Sequence, residues 1–196
     1  QDRYSRDVLC EMKINEYWTT GHQHQDAGAF QLYYKGMLAI DSGYYQSRIV
    51  IFDWTKRRTL NNGNTGCGGV HDNNYNSATI AHNCMLVVDP EEEGELARPM
   101  GGQPMMTSSY RNLDAFLLAE KNRIGQVLGF SHRQGVTCLA GEISRAYGSK
   151  VVDYTRSFAF VEFSEGDCPA ALFVYDDITS ASILGLPRYP SPADSG

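Results

Sequence analysis

The residues with the most chemical content are two histidines two positions apart, His22 and His24 in Gly21-His-Gln-His-Gln-Asp26. On an extended strand alternate residues share a face, so such a pair offers two imidazoles to one metal, or one to a metal and the other to a substrate. Asp41 follows at the end of the apolar run in Leu38-Ala-Ile-Asp-Ser-Gly-Tyr44, where a turn begins. Two neutral imidazoles and a carboxylate are a common zinc donor set. His82 comes later, in Thr79-Ile-Ala-His-Asn-Cys84. Each residue also has a plain structural explanation: a surface histidine pair, a core histidine satisfied by backbone at position 82, and at position 41 a carboxylate holding the Ser42-Gly43 turn.

The elements that must position these side chains read as strands. Short stretches rich in aromatic and β-branched residues recur at Val8–Ile14, Ala29–Tyr34, Met37–Asp41, Ile49–Phe52, Cys84–Val88, Arg123–Phe130, Val136–Ala140, Ser157–Phe163 and Ala170–Tyr175. That pattern predicts an all-β fold, an antiparallel β-sandwich. One exception, Asn112–Glu120, sets Leu113, Phe116 and Leu117 at helical spacing and predicts a short helix. Asp53 to Asn76 reads as one long loop rich in Asn and Gly, of a length that is usually functional or disordered. The acidic run from Glu91 to Glu95 reads as a solvated turn. Residues 1–186 are expected to form one domain, and residues 187–196, rich in Pro and Ser, a linker or frayed tail.

Composition bounds the partners. With 42% hydrophobic and 20% charged residues in 196, this is the make-up of a globular domain with one core. A formal charge of −6 argues against a nucleic-acid binder that works by general electrostatics. No run approaches the roughly 18 apolar residues of a membrane helix, and Gln1-Asp-Arg3 has neither a basic leader nor an apolar signal core. The five cysteines are scattered without a CxxC pair, so no zinc knuckle or disulfide framework is legible. Lys56 and Arg57, with Arg58 and Trp54 beside them, would supply the local positive charge and stacking surface that an acidic sugar polymer needs.

The block from Gly21 to Tyr44, with both histidines, Asp41 and the intervening Phe30-Gln-Leu-Tyr-Tyr34, closely resembles the signature of the heparinase II/III family of polysaccharide lyases. The likeness continues in Tyr75-Asn-Ser-Ala-Thr-Ile-Ala-His-Asn83, in Ala146-Tyr-Gly-Ser-Lys-Val-Val-Asp-Tyr-Thr-Arg-Ser-Phe158 and in Pro169–Ile178, so it covers most of the chain. It implies a sandwich domain that in the family follows an N-terminal helical toroid, with substrate in the cleft between them. No toroid is visible in this sequence, which would then be a part of the enzyme. The resemblance puts the metal ligands at His24, Asp41 and His82, the catalytic histidine at His22 and a cleft tyrosine at Tyr44. It puts the family's other functional tyrosine and the groups that neutralise the substrate carboxylate largely on the toroid; His71, Tyr75, Lys56 and Arg57 are substrate-contact candidates from their residue types. It further implies zinc, an acidic polysaccharide substrate and a periplasmic or secreted location.

The reaction so implied is a β-elimination. A base removes the C5 proton of a uronic acid, the C4–O bond to the next sugar breaks, and an unsaturated sugar remains without consumption of water. It requires a group that neutralises the carboxylate, a base at C5 and an acid at the leaving oxygen. Histidine suits the base role because its reference pKa of about 6.5 leaves it largely neutral near pH 7. Three rivals share the HxH signal. A zinc hydrolase would use a metal-bound water, and a non-catalytic carbohydrate-binding sandwich would use the metal as a staple. A cupin would need an acidic ligand four or five residues after the pair, where Gly28 and Ala29 stand.

Overall fold

The structure is a computed structural model that describes residues 6–19, 22–42, 50–53, 58–61, 72–89, 101–104, 110 and 112–181, with residues 50–53 and 58–61 as backbone only. Every strand pairing among these residues is antiparallel. The largest sheet is a meander of β6 (Gln126–Arg133), β7 (Val136–Glu142), β8 (Val151–Glu162) and β9 (Ala170–Ser180) in sequence order. Gln134 and Gly135, both left-handed at φ 52° and 75°, close the β6–β7 hairpin. Two residues of that hand match the right-handed twist of the strands they join. The second sheet orders β1 (Leu9–Met12), β2 (Phe30–Tyr33) and β3 (Met37–Ala39), and β4 (Val50–Asp53) pairs with β5 (Arg58–Asn61) as a ribbon.

Strict alternation on β8 joins the layers. Tyr154, Arg156, Phe158 and Phe160 are buried at every second position, the period of a strand with one covered face. From the other layer, the Phe30 ring meets Phe158 edge-on at 6.1 Å. Ile14 lies so close over Gly141 of β7 that a Cβ there would come within 2.5 Å of its Cδ1. The core continues through Trp18, Ile124, Ile143, Tyr147 and Tyr154. The all-β reading and the single short helix both hold: α1 is Leu113–Leu118, and Asn112 caps it by accepting from the Ala115 N–H at 2.9 Å.

Two sequence expectations fail. Cys84–Val88 is not a strand: its backbone bonds go to other partners, the Met85 carbonyl to the Tyr147 hydroxyl at 2.7 Å and the Val87 N–H to Gly101 at 2.8 Å. Asp53–Asn76 is not an uninterrupted loop, because Arg58–Asn61 returns to pair with β4 and a single π-helical turn spans Asp72–Asn76. Arg58-Thr-Leu-Asn61 has one apolar residue, too few to show a strand period. The acidic run at 91–95 and the tail at 187–196 lie outside the described residues.

Gly28, just before β2, is left-handed at φ 85°, and a Cβ there would lie 2.7 Å from Ile143 Cδ1. Gly28→Ala adds backbone strain and an overlap with the core, so it is expected to cost about 1–3 kcal/mol of stability. Denaturant unfolding measures this, and an unchanged midpoint would contradict the packing described.

Candidate metal centre

His24 sits on a loop that runs from the isolated bridge at Tyr17 to β2. The loop is braced from several sides. The Gln25 N–H donates to Ser77 at 2.8 Å and the Thr79 hydroxyl donates to the Gln25 carbonyl at 2.8 Å. The Gln103 side chain accepts from Ala27 N–H at 3.0 Å and donates to Ala27 O at 2.9 Å. Buried Asp26 accepts from Lys13 Nζ at 2.6 Å and Asn15 Nδ2 at 3.2 Å. Asp41 follows β3 by two residues, and its neighbour Ser42 donates from both N–H and hydroxyl to the Ala81 carbonyl, at 2.9 and 2.8 Å. His82 leaves the 3-10 turn Thr79–Ala81 directly into the interior.

These three segments bring His24, Asp41 and His82 together, each with one ligand atom within 4.8 Å of the others. The two imidazole rings are tilted at a centroid separation of 5.1 Å. His82 Nδ1 lies 2.8 Å from an Asp41 oxygen, an ion-pair contact when the ring is protonated. Both His82 ring nitrogens are buried, Nδ1 against the Asp41 carboxylate and Nε2 without a hydrogen-bond partner. An unsatisfied buried imidazole is costly unless something fills the role, and a divalent cation held by the three side chains would do so. Two nitrogens and a carboxylate oxygen are donors that suit a borderline transition metal. The Cys84 thiol, pushed up to about 12 by burial, is not among the converging ligand atoms.

Burial pushes the His82 pKa below its ordinary value, against an opposing pull from Asp41 and Asp26, and so favours the neutral form a metal requires. The unfolded chain titrates near about 6.5 and binds more protons than the folded one just below that pH. This contribution to the metal-free protein is therefore complete above about pH 6.5 and is lost as pH falls toward the lowered folded value. In chelator, thermal melts between pH 5 and 7 should fall more steeply for the wild type than for His82→Gln. Parallel curves would contradict it.

The strand expected under the histidine pair is absent. His22 is exposed in a bend at φ 30°, a left-handed value incompatible with extended backbone, so His22 and His24 do not share a strand face. His22 is also not among the converging ligand atoms. Tyr75 is 37% exposed and its hydroxyl lies 2.9 Å from that of Ser42, next to Asp41, which brings it to the rim of the centre. Tyr44, Lys56, Arg57 and His71 lie outside the residues whose side chains are described.

Sequence reasoning missed the supports: Asp26, Ser42, Asn83, Gln103 and Arg156. Asp26, Ser42 and Asn83 each stand beside a singled-out residue and Arg156 lies within a quoted block, but nothing local marked any of them as a support. A family model described as "Heparinase II/III-like, C-terminal" matches residues 13–182. No curated protein matches the chain.

Proposed function

Because this chain belongs to the heparinase II/III-like C-terminal family, a family of polysaccharide lyases, we propose that it forms the metal-bearing wall of a cleft where a uronic-acid-containing glycan is cleaved by β-elimination. The observation that carries this proposal is the convergence of His24, Asp41 and the buried His82, whose Nε2 has no hydrogen-bond partner, with Tyr75 at the rim. His24, Asp41 and His82 hold the metal, which we take as zinc. When bound, zinc supplies a fixed positive charge that ties the three ligand segments together.

The protein's own groups then divide the work. His22, exposed and two residues from His24, takes the C5 proton. The electron pair left at C5 forms the C4–C5 double bond as the C4–O bond breaks, and a tyrosine hydroxyl, Tyr44 or Tyr75, returns a proton to the leaving oxygen. Lys56 and Arg57 bind the uronate carboxylate, and His71 lines the same cleft. The opposite wall is an N-terminal helical toroid, as the resemblance implies. Substrates of this size meet the enzyme outside the cytoplasm, in the periplasm or after secretion.

The test is a panel of acidic glycans offered to the zinc-loaded chain joined to its toroid, read by absorbance of the new C4–C5 double bond. At least one uronic-acid polymer should give a steady increase, and residues 1–196 alone should give little. No absorbance on any uronate polymer would remove the lyase assignment.

A further inference from the structure

We propose that Arg156 is the positioning residue of the metal centre, a single guanidinium on the far sheet that fixes the backbone segments carrying His24 and His82 relative to each other. The proposal rests on the metal centre assigned above and adds a residue that contributes no ligand atom to it.

Arg156 is 3% exposed on the covered face of β8. Its Nε and Nη2 donate to the two oxygens of Asp176 on β9, at 2.6 and 2.9 Å, and the Tyr154 hydroxyl donates to the same carboxylate at 2.8 Å. This fork-to-fork pairing fixes the plane of the guanidinium. The remaining nitrogen, Nη1, donates to the Gly28 carbonyl at 2.7 Å and the Asn83 carbonyl at 2.9 Å. Gly28 closes the loop that carries His24, and Asn83 is the residue after His82. One nitrogen thus joins two ligand segments far apart in sequence.

The third segment is reached through Asn83. Its side-chain amide donates to Ile40 O at 3.0 Å, adjacent to Asp41, and to Phe30 O at 2.8 Å. Close approach is built in on the loop side as well: a Cβ on Gly28 would lie 3.3 Å from Arg156 Cδ. Buried ion pairs are weak contributors to stability compared with apolar residues of the same volume. What the Arg156–Asp176 pair offers beyond stability is direction. Lysine would keep the charge, but a tetrahedral ammonium cannot hold both carboxylate oxygens and both loop carbonyls in one plane. Partners that orient metal ligands typically change affinity by about 10- to 100-fold when removed.

The experiment measures zinc affinity of the full chain by chelator competition, together with the visible spectrum of the cobalt(II) form and the unfolding midpoint of the metal-free protein. The variants are Arg156→Lys and Arg156→Met, with Phe160→Leu on the same strand as a control for general weakening of the sheet. Zinc affinity is expected to fall about 10- to 100-fold in both Arg156 variants, with a changed cobalt spectrum, while Phe160→Leu keeps wild-type affinity and spectrum even where its midpoint drops. Should Arg156→Met not fold, Arg156→Lys carries the test alone. Affinity within twofold of wild type and an unchanged cobalt spectrum in Arg156→Lys would overturn the role of Arg156 and leave the metal centre standing. A wild-type chain that takes up no zinc would instead remove the metal centre, and this inference with it.

Discussion

Purified with zinc present and no chelator, the chain is expected to carry close to one metal ion, and Asp41→Ala, His24→Ala or His82→Ala to carry none. The donors come from three segments, and removal of any one leaves two side chains that cannot hold a borderline cation against water. Binding to the folded state alone adds stability by mass action, about 4 kcal/mol at a thousandfold excess over Kd. The variants should therefore lose the increment that zinc gives the wild type. In chelator, Asp41→Ala should melt below the wild type because it strips the buried His82 ring of its carboxylate partner, and His82→Ala should melt lower because it leaves a cavity. Elemental analysis and melts with and without chelator check both statements. Stoichiometric zinc in Asp41→Ala would discard the site.

His22→Ala should behave differently. In the chain joined to its toroid, elimination is expected to fall by about 100- to 10,000-fold, the usual cost of removing a general base, with zinc retained. His24→Ala should lose both. The basis is no longer a shared strand face but reach: two residues of chain span at most about 7 Å, so the His22 backbone stays near that of the ligand candidate His24 while its exposed, left-handed position keeps it on the solvent side. Single-turnover rates beside metal content separate the roles. A His22→Ala enzyme with near-normal turnover would move the base elsewhere.

How far these residues could be read from sequence depended on the range of the interactions. Strands such as β2, β6 and β7 were legible because their apolar residues show strand character locally. β8 was recognised only from Ser157, although it begins at Val151, because the buried Arg156 interrupts the apolar pattern that marks a covered strand. The Cys84–Val88 stretch misled in the opposite sense, apolar but bonded to Tyr147 and Gly101 instead of a ladder. The three side chains that converge, His24, Asp41 and His82, were legible as ligand candidates from residue type and from a resemblance to a known signature. The histidine pair was misplaced on a strand, since spacing reports a shared face only where the backbone is extended, and φ at His22 is not. The supports from Arg156 and Gln103 depend on contacts across 128 and 76 positions, and no local pattern carries such information.

The most direct measurement of the central claim is digestion of a uronic-acid polymer in heavy-oxygen water, followed by mass analysis of the fragments. Elimination consumes no water, so each cleavage should leave an unsaturated end sugar, with heavy oxygen confined to the reducing-end hemiacetal that exchanges with solvent. Fragments whose end sugars are all saturated, each cleavage having added one water, would show hydrolysis and contradict the lyase assignment.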